Sequence, residues 1–124
     1  MRRLFFSVLF FIFCFAANSQ SIWKHGRLKV TADGHYLQFQ DGLSFFWLGD
    51  TGWELFHRLT KEEINIYLEN RRAKGFNVIQ AVILAEFNGL KRPNQYGEVP
   101  LTDLDSTKPN EKYFGLVDYA VKLA

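Results

Sequence analysis

Apolar and polar positions along this chain change rhythm several times, and each change marks an element. Residues 4–17 are almost wholly apolar behind the basic start Met1-Arg2-Arg3, and they give way to Ala17-Asn18-Ser19 and then Gln20. A charged start, a short apolar stretch and a small-residue exit make the pattern of a cleavable secretory signal over residues 1–19, with cleavage expected after Ser19. The fourteen residues of the run fall short of the roughly 20 that span a bilayer as a helix, so a membrane anchor is the weaker alternative. Cys14 follows Phe13 rather than a small residue, which argues against a lipoprotein attachment site and leaves the cysteine within the apolar run.

Residues 27–48 alternate strand-like stretches with two Asp-Gly turns. Asp33-Gly34 separates Leu28-Lys29-Val30 from Tyr36-Leu37-Gln38-Phe39, and Asp41-Gly42 separates that stretch from Phe45-Phe46-Trp47-Leu48. Glycine, and to a lesser degree aspartate, tolerates the positive φ of tight hairpins, so an antiparallel lead-in is expected. The next stretch has helical grammar. Thr60 and Glu63 form a capping box, Leu59 and Ile64 a hydrophobic staple, and Gly75 a left-handed stop. Between them Tyr67 and Leu68 share one face, with Glu69, Arg71 and Lys74 largely outside.

Residues 76–84 are nearly all apolar and rich in Val and Ile, as in a strand buried on both faces of a parallel sheet. With 45–48 as the first strand, the pattern is a βαβ unit whose crossover should be right-handed. Residues 85–110 then hold all three prolines and two glycines. Irregular stretches of that length are uncommon in compact domains unless they are functional or disordered. A second helix is expected from Glu111, with Tyr113, Phe114, Val117, Val121 and Ala124 as its apolar stripe. Two parallel strands and two helices leave both sheet edges open and cannot close a core. The expectation is therefore that residues 20–124 form the incomplete N-terminal portion of a larger α/β domain.

Composition changes the picture once the signal is set aside. The chain has 15 basic and 13 acidic residues, and removing Arg2 and Arg3 leaves the two signs equal in number. A mature chain without clustered positive charge offers no footprint for nucleic acid or an anionic membrane. Cleavage also removes the one cysteine, so neither disulfides nor Cys-ligated metal are available.

Ligands of α/β folds sit at the carboxyl ends of parallel strands. There the first strand is followed by Gly49-Asp50-Thr51-Gly52-Trp53-Glu54, and the second by Ala85-Glu86-Phe87-Asn88. Asp50 could bind a hydroxyl or orient another acid, or cap the following turn. Trp53 could stack on a sugar ring, since indole pairs an apolar face with one N–H donor, or fill core space. Glu86 falls at the same end as Asp50, and two such carboxylates suit polyol binding or acid and base work, the alternative for Glu86 being a surface position. Gln80 interrupts its apolar strand and is expected in a polar interior layer, because an unpaired buried amide is costly. Asp103-Leu104-Asp105-Ser106-Thr107 lacks the glycine and closing glutamate of a calcium loop. His25, His35 and His57 share no metal-ligand spacing. No phosphate or dinucleotide fingerprint follows Gly49. No cofactor and no metal are expected.

Several blocks taken together resemble the apiosidase-like glycoside hydrolases, family 140: Gly34-His35-Tyr36-Leu37, Asp41-Gly42, Phe45-Phe46-Trp47-Leu48-Gly49-Asp50-Thr51-Gly52-Trp53-Glu54-Leu55, Lys74-Gly75-Phe76-Asn77-Val78-Ile79-Gln80, and Pro109-Asn110-Glu111 before Tyr113-Phe114. The resemblance runs over residues 23–124. It implies the N-terminal part of a (β/α)8 TIM barrel with a β-hairpin lead-in, truncated after the second βα unit, in an enzyme often carrying a small β-sandwich beyond the barrel. It also implies action on apiose-containing side chains of plant pectin. The mechanism implied is retaining, through two carboxylates about 5 Å apart. By similarity to related barrels that pair belongs at the ends of the fourth and seventh strands, so no catalytic residue falls within residues 1–124. Asp50, Trp53 and Glu86 are the candidates for the substrate-binding floor, and the expected partner is a plant polysaccharide or oligosaccharide met outside the cytoplasm, in the periplasm or the medium. Two alternatives stand beside this reading: a noncatalytic carbohydrate-binding or surface protein on the same barrel, and a complete small exported domain.

Overall fold

The computed structural model describes residues 24–124, and the expected signal at 1–19 lies outside them. The chain divides into two compact units, meeting between Phe45 and Phe46.

In the first unit, strand β1 (Leu28–Val30) pairs antiparallel with β2 (Leu37–Phe39), setting Leu28 opposite Phe39 and Val30 opposite Leu37. The turn between them closes with Thr31 N–H donating to Tyr36 O at 2.9 Å and with Gly34 at φ +77°. A second turn, with Gly42 at φ +94°, brings Ser44 against Gln38 and lets Phe45 N–H donate to Leu37 O at 3.0 Å. Both Asp-Gly turns therefore sit where the sequence places them, at glycines whose positive φ a side chain would strain.

The second unit is the βαβ crossover with its helices. Strand β3 (Gly49–Gly52) is followed by a single-turn helix α1 (Leu55–Arg58), then α2 (Lys61–Ala73), strand β4 (Val78–Ala81) and, after a long connection, α3 (Glu111–Leu123). β3 and β4 are parallel, with Asp50 opposite Ile79 and Thr51 opposite Gln80. The predicted first strand at 45–48 is thus displaced by four positions. The reason lies in Asn77, whose side-chain amide donates to Phe46 O at 2.7 Å and accepts from Leu48 N–H at 2.9 Å. That amide takes the place of a strand partner, and the regular ladder starts only at Gly49. β4 is likewise shorter than the apolar run at 76–84.

Helix α2 begins as predicted. Thr60 Oγ1 accepts from Glu63 N–H, and the Glu63 carboxylate accepts from Thr60 N–H at 2.8 Å. It ends in a Schellman turn: Phe76 N–H reaches Arg71 O and Gly75 N–H reaches Arg72 O, both at 3.0 Å, with Gly75 at φ +82°. Helix α3 is capped by Asn110, whose Oδ1 accepts from Lys112 N–H while its Nδ2 donates to Glu98 Oε2 and Val99 O.

The core gathers Leu55 and Phe56 of α1, Ile64 of α2, and Tyr113, Leu116, Val117 and Ala120 of α3, with Leu59, Tyr67, Leu68 and Ala81 packed against it. The buried stripe of α3 follows the i, i+3, i+4, i+7 spacing from Tyr113. This corrects the predicted stripe: Leu116 and Ala120 belong to it, whereas Val121 is 70% exposed and Ala124 is also outside. Gln80, expected in a polar interior layer, is exposed among the described residues, beside the half-buried Ile79 and Ala81.

Candidate functional site

Both strands deliver their following loops to one place. Beyond β3 come Trp53, Glu54 and α1; beyond β4 comes the turn that starts at Ala85. Between them lies a cleft of about 510 Å³, lined by Glu54, His57 and Arg58 from the first loop and by Glu86, Phe87 and Arg92 from the second. A cleft of that volume is in the range that takes a small ligand. Its lining mixes two carboxylates with two guanidinium groups, so it presents both hydrogen-bond acceptors and charged donors.

The wall behind the cleft is a buried polar chain. His57, 7% exposed, donates from Nε2 to Gly89 O at 2.9 Å, because a carbonyl can only accept. Its Nδ1 lies 3.2 Å from the Tyr113 hydroxyl, whose single proton goes to Ile83 O at 2.6 Å. Burial, helped by the negative charge of Glu54, pushes the Tyr113 phenol up to about 12. Tyr113 therefore keeps its proton and serves as a donor throughout the working pH range. On the near side, Glu54 Oε2 stands 3.8 Å from Arg58 Nε, a loose pairing one helical turn apart, while Glu54 Oε1 is buried without a hydrogen-bond partner among the described residues.

The second loop is tightly curled. Phe87 and Asn88 both have positive φ, 54° and 71°. A Cβ on Gly89 would stand 2.3 Å from Ala85 O, so no side chain fits there without moving the backbone. Gly89 N–H donates to Glu86 O at 3.2 Å, and the amides of Lys91 and Arg92 both donate to Asn88 O at 2.9 Å. Glu86 thus sits at the mouth of a turn whose shape its backbone bonds and Gly89 set together.

The three residues singled out in the sequence have different surroundings. Glu86 is exposed and lines the cleft. Trp53 follows β3 directly and is 45% exposed, but it is not among the lining residues. Asp50 lies inside β3, not after its strand, and is engaged by α2: Tyr67 Oη donates to Asp50 Oδ2 at 2.9 Å and Arg71 Nε pairs with the same oxygen at 2.5 Å. The Tyr67 hydrogen bond, with the Thr51 amide and the Arg71 charge, holds the Asp50 carboxyl below the usual aspartate range. Arg71, expected on the outer face of the helix, is therefore turned in, with its guanidinium 5.0 Å from the Tyr67 ring and 5.6 Å from that of Phe76.

Sequence reading passed over Glu54, Arg92 and Tyr113. For Glu54 the signal was present, since it adjoins Trp53 in the same strand-end block. For Tyr113 there was none: it meets His57 across 56 positions of chain. Among the described residues no group of three or more His, Cys, Asp or Glu is placed to hold a metal ion, and no helix is long and apolar enough to cross a membrane.

Comparison with known proteins bears on the same region. A family model described as "Apiosidase-like, catalytic domain" matches residues 31–124. A solved structure described as a glycoside hydrolase family 5 from Bacteroides vulgatus is 35% identical with a TM-score of 0.69, over 82% of this chain and 22% of that one. Another, described as a glycoside hydrolase, is 38% identical with a TM-score of 0.71, over 82% and 23%. The chain thus spans less than a quarter of the length of either structure. No curated protein matches it.

Proposed function

The chain belongs to the apiosidase-like family, and from that premise we propose that it is the opening part of an exported glycoside hydrolase that removes apiose from side chains of plant pectin. The observation that carries this reading is the cleft at the carboxyl ends of β3 and β4, lined by Glu54 and Glu86. In a (β/α)8 barrel the active site is built from the loops at that face. Likeness to two glycoside hydrolase structures supports the same architecture. In it, β3 and β4 are the first two barrel strands, and their face carrying the exposed Thr51 and Gln80 turns inward.

In this reading Glu86 accepts hydrogen bonds from sugar hydroxyls and Trp53 offers an apolar face to a sugar ring. Asp50 serves the same floor from behind, by fixing α2 to β3 through Tyr67 and Arg71. The acid/base and the nucleophile, about 5 Å apart in a retaining enzyme, come from later strands outside residues 1–124. Export rests on the basic start, the apolar run and the small-residue exit near Ser19. The substrate is then a polysaccharide met outside the cytoplasm.

The test is to express the whole enzyme and assay free apiose released from an apiose-containing pectic oligosaccharide, with residues 20–124 alone in parallel. Release by the whole protein and none by residues 20–124 is the expected result. A folded whole protein that liberates no apiose, or turnover by residues 20–124, contradicts the proposal.

A further inference from the structure

His57 lines the cleft without a part in the proposed chemistry, yet it is buried and has a polar partner at each ring nitrogen, Gly89 O at Nε2 and the Tyr113 hydroxyl at Nδ1. We infer that His57 is a positioning residue, whose Nε2–H clamps the Glu86-bearing turn against α1 and α3 and so sets where Glu86 meets a ligand. This rests on reading the cleft as a sugar site.

The turn needs holding. Phe87 and Asn88 are non-glycine residues in the left-handed region, a costly conformation that persists only where the surroundings over-determine it. Phe87 is 72% exposed, so its own side chain supplies little packing to offset that cost. Gly89 comes next in the chain, and its carbonyl is the atom that His57 grips at 2.9 Å. The grip is itself anchored. The imidazole packs tilted against the Tyr113 ring at 5.5 Å, and Tyr113 is fully buried in the core between α1, α2 and α3. The Tyr113 hydroxyl, 2.6 Å from Ile83 O, ties down the start of the same loop. His57 and Tyr113 thereby hold the segment that bears Glu86 from both sides, at Ile83 and at Gly89.

Two substitutions separate this role from simple core filling. In His57→Gln the side-chain amide nitrogen reaches the position of Nε2 and can still donate to Gly89 O. In His57→Asn it reaches only the position of Nδ1, and Gly89 O loses its donor. In the whole enzyme with an apiose-containing oligosaccharide, H57N should raise KM about tenfold, the worth of one good hydrogen bond, with kcat changed less. H57Q should stay within about twofold of wild type. Amide hydrogen exchange over residues 86–92 should speed up in H57N and not in H57Q. Equal behaviour of the two variants, or exchange in H57N at the wild-type rate, overturns the inference. If H57N does not fold, Tyr113→Phe carries the test: faster exchange over 86–92 supports the clamp, and unchanged exchange overturns it. A wild-type enzyme without turnover overturns the sugar reading alone, and the exchange measurement still decides the role of His57.

Discussion

Asp50 shows how a single side chain can be legible in type and illegible in direction. Its place in a Gly-Asp-Thr-Gly block marked it as a carboxylate near a strand end, but the parity of the strand decides which face it takes. With the ladder starting at Gly49, Asp50 and Gly52 are the half-buried positions and Thr51 is exposed. Asp50 then meets Tyr67 and Arg71. A one-residue shift in register would have reversed this. The contacts make a prediction about acid stability. A carboxyl held below its ordinary value by the folded state stabilises that state above the unfolded value, and the contribution is lost as pH falls through the folded value. Asp50→Asn should lower the thermal midpoint at neutral pH, and its gap from wild type should close on acidification below the usual aspartate range. A gap that stays constant from neutral to strongly acid solution would show that the charge on Asp50 adds nothing to stability. Glu86 is the opposite case: it lines the cleft as its strand-end position suggested, while Glu54, its neighbour across the cleft, was legible only as part of a motif.

At the scale of elements, local chemistry was read more faithfully than long-range chemistry. The ends of α2 depend on residues close in the chain, Thr60 with Glu63 at one end and Gly75 at the other, and both are legible in the sequence. Thr60→Ala should accordingly cost about 1 kcal/mol, read from urea unfolding of the whole protein; no measurable change would mean that the capping box is idle. The boundaries of β3 were not visible, because they depend on Asn77 reaching back 31 positions to Phe46 O and 29 to Leu48 N–H. The face of α3 was misread for a related reason. Its sequence offers apolar residues at nearly every position from Tyr113 to Val121, so periodicity alone cannot choose among rotated stripes. Packing against α2 chooses Leu116 and Ala120 over Val121. The single turn of α1 went unread, yet it carries Leu55 and Phe56 into the core and His57 behind the cleft.

For the molecule as a whole, the crossover of β3, α2 and β4 is the organising fact. It brings two loops to one side, and every residue that lines the cleft belongs to one of them. The strand-end rule was enough to foresee that meeting place from sequence, whereas the volume of the cleft and the His57–Tyr113 wall required the folded chain. In the proposed function this cleft binds the sugar, with Glu86 as a direct contact. The most direct test is steady-state kinetics of the whole enzyme carrying Glu86→Ala, on an apiose-containing oligosaccharide. Loss of a charged hydrogen-bond acceptor should raise KM about tenfold or more while leaving the melting temperature unchanged. A folded Glu86→Ala enzyme with wild-type kcat/KM would contradict the claim.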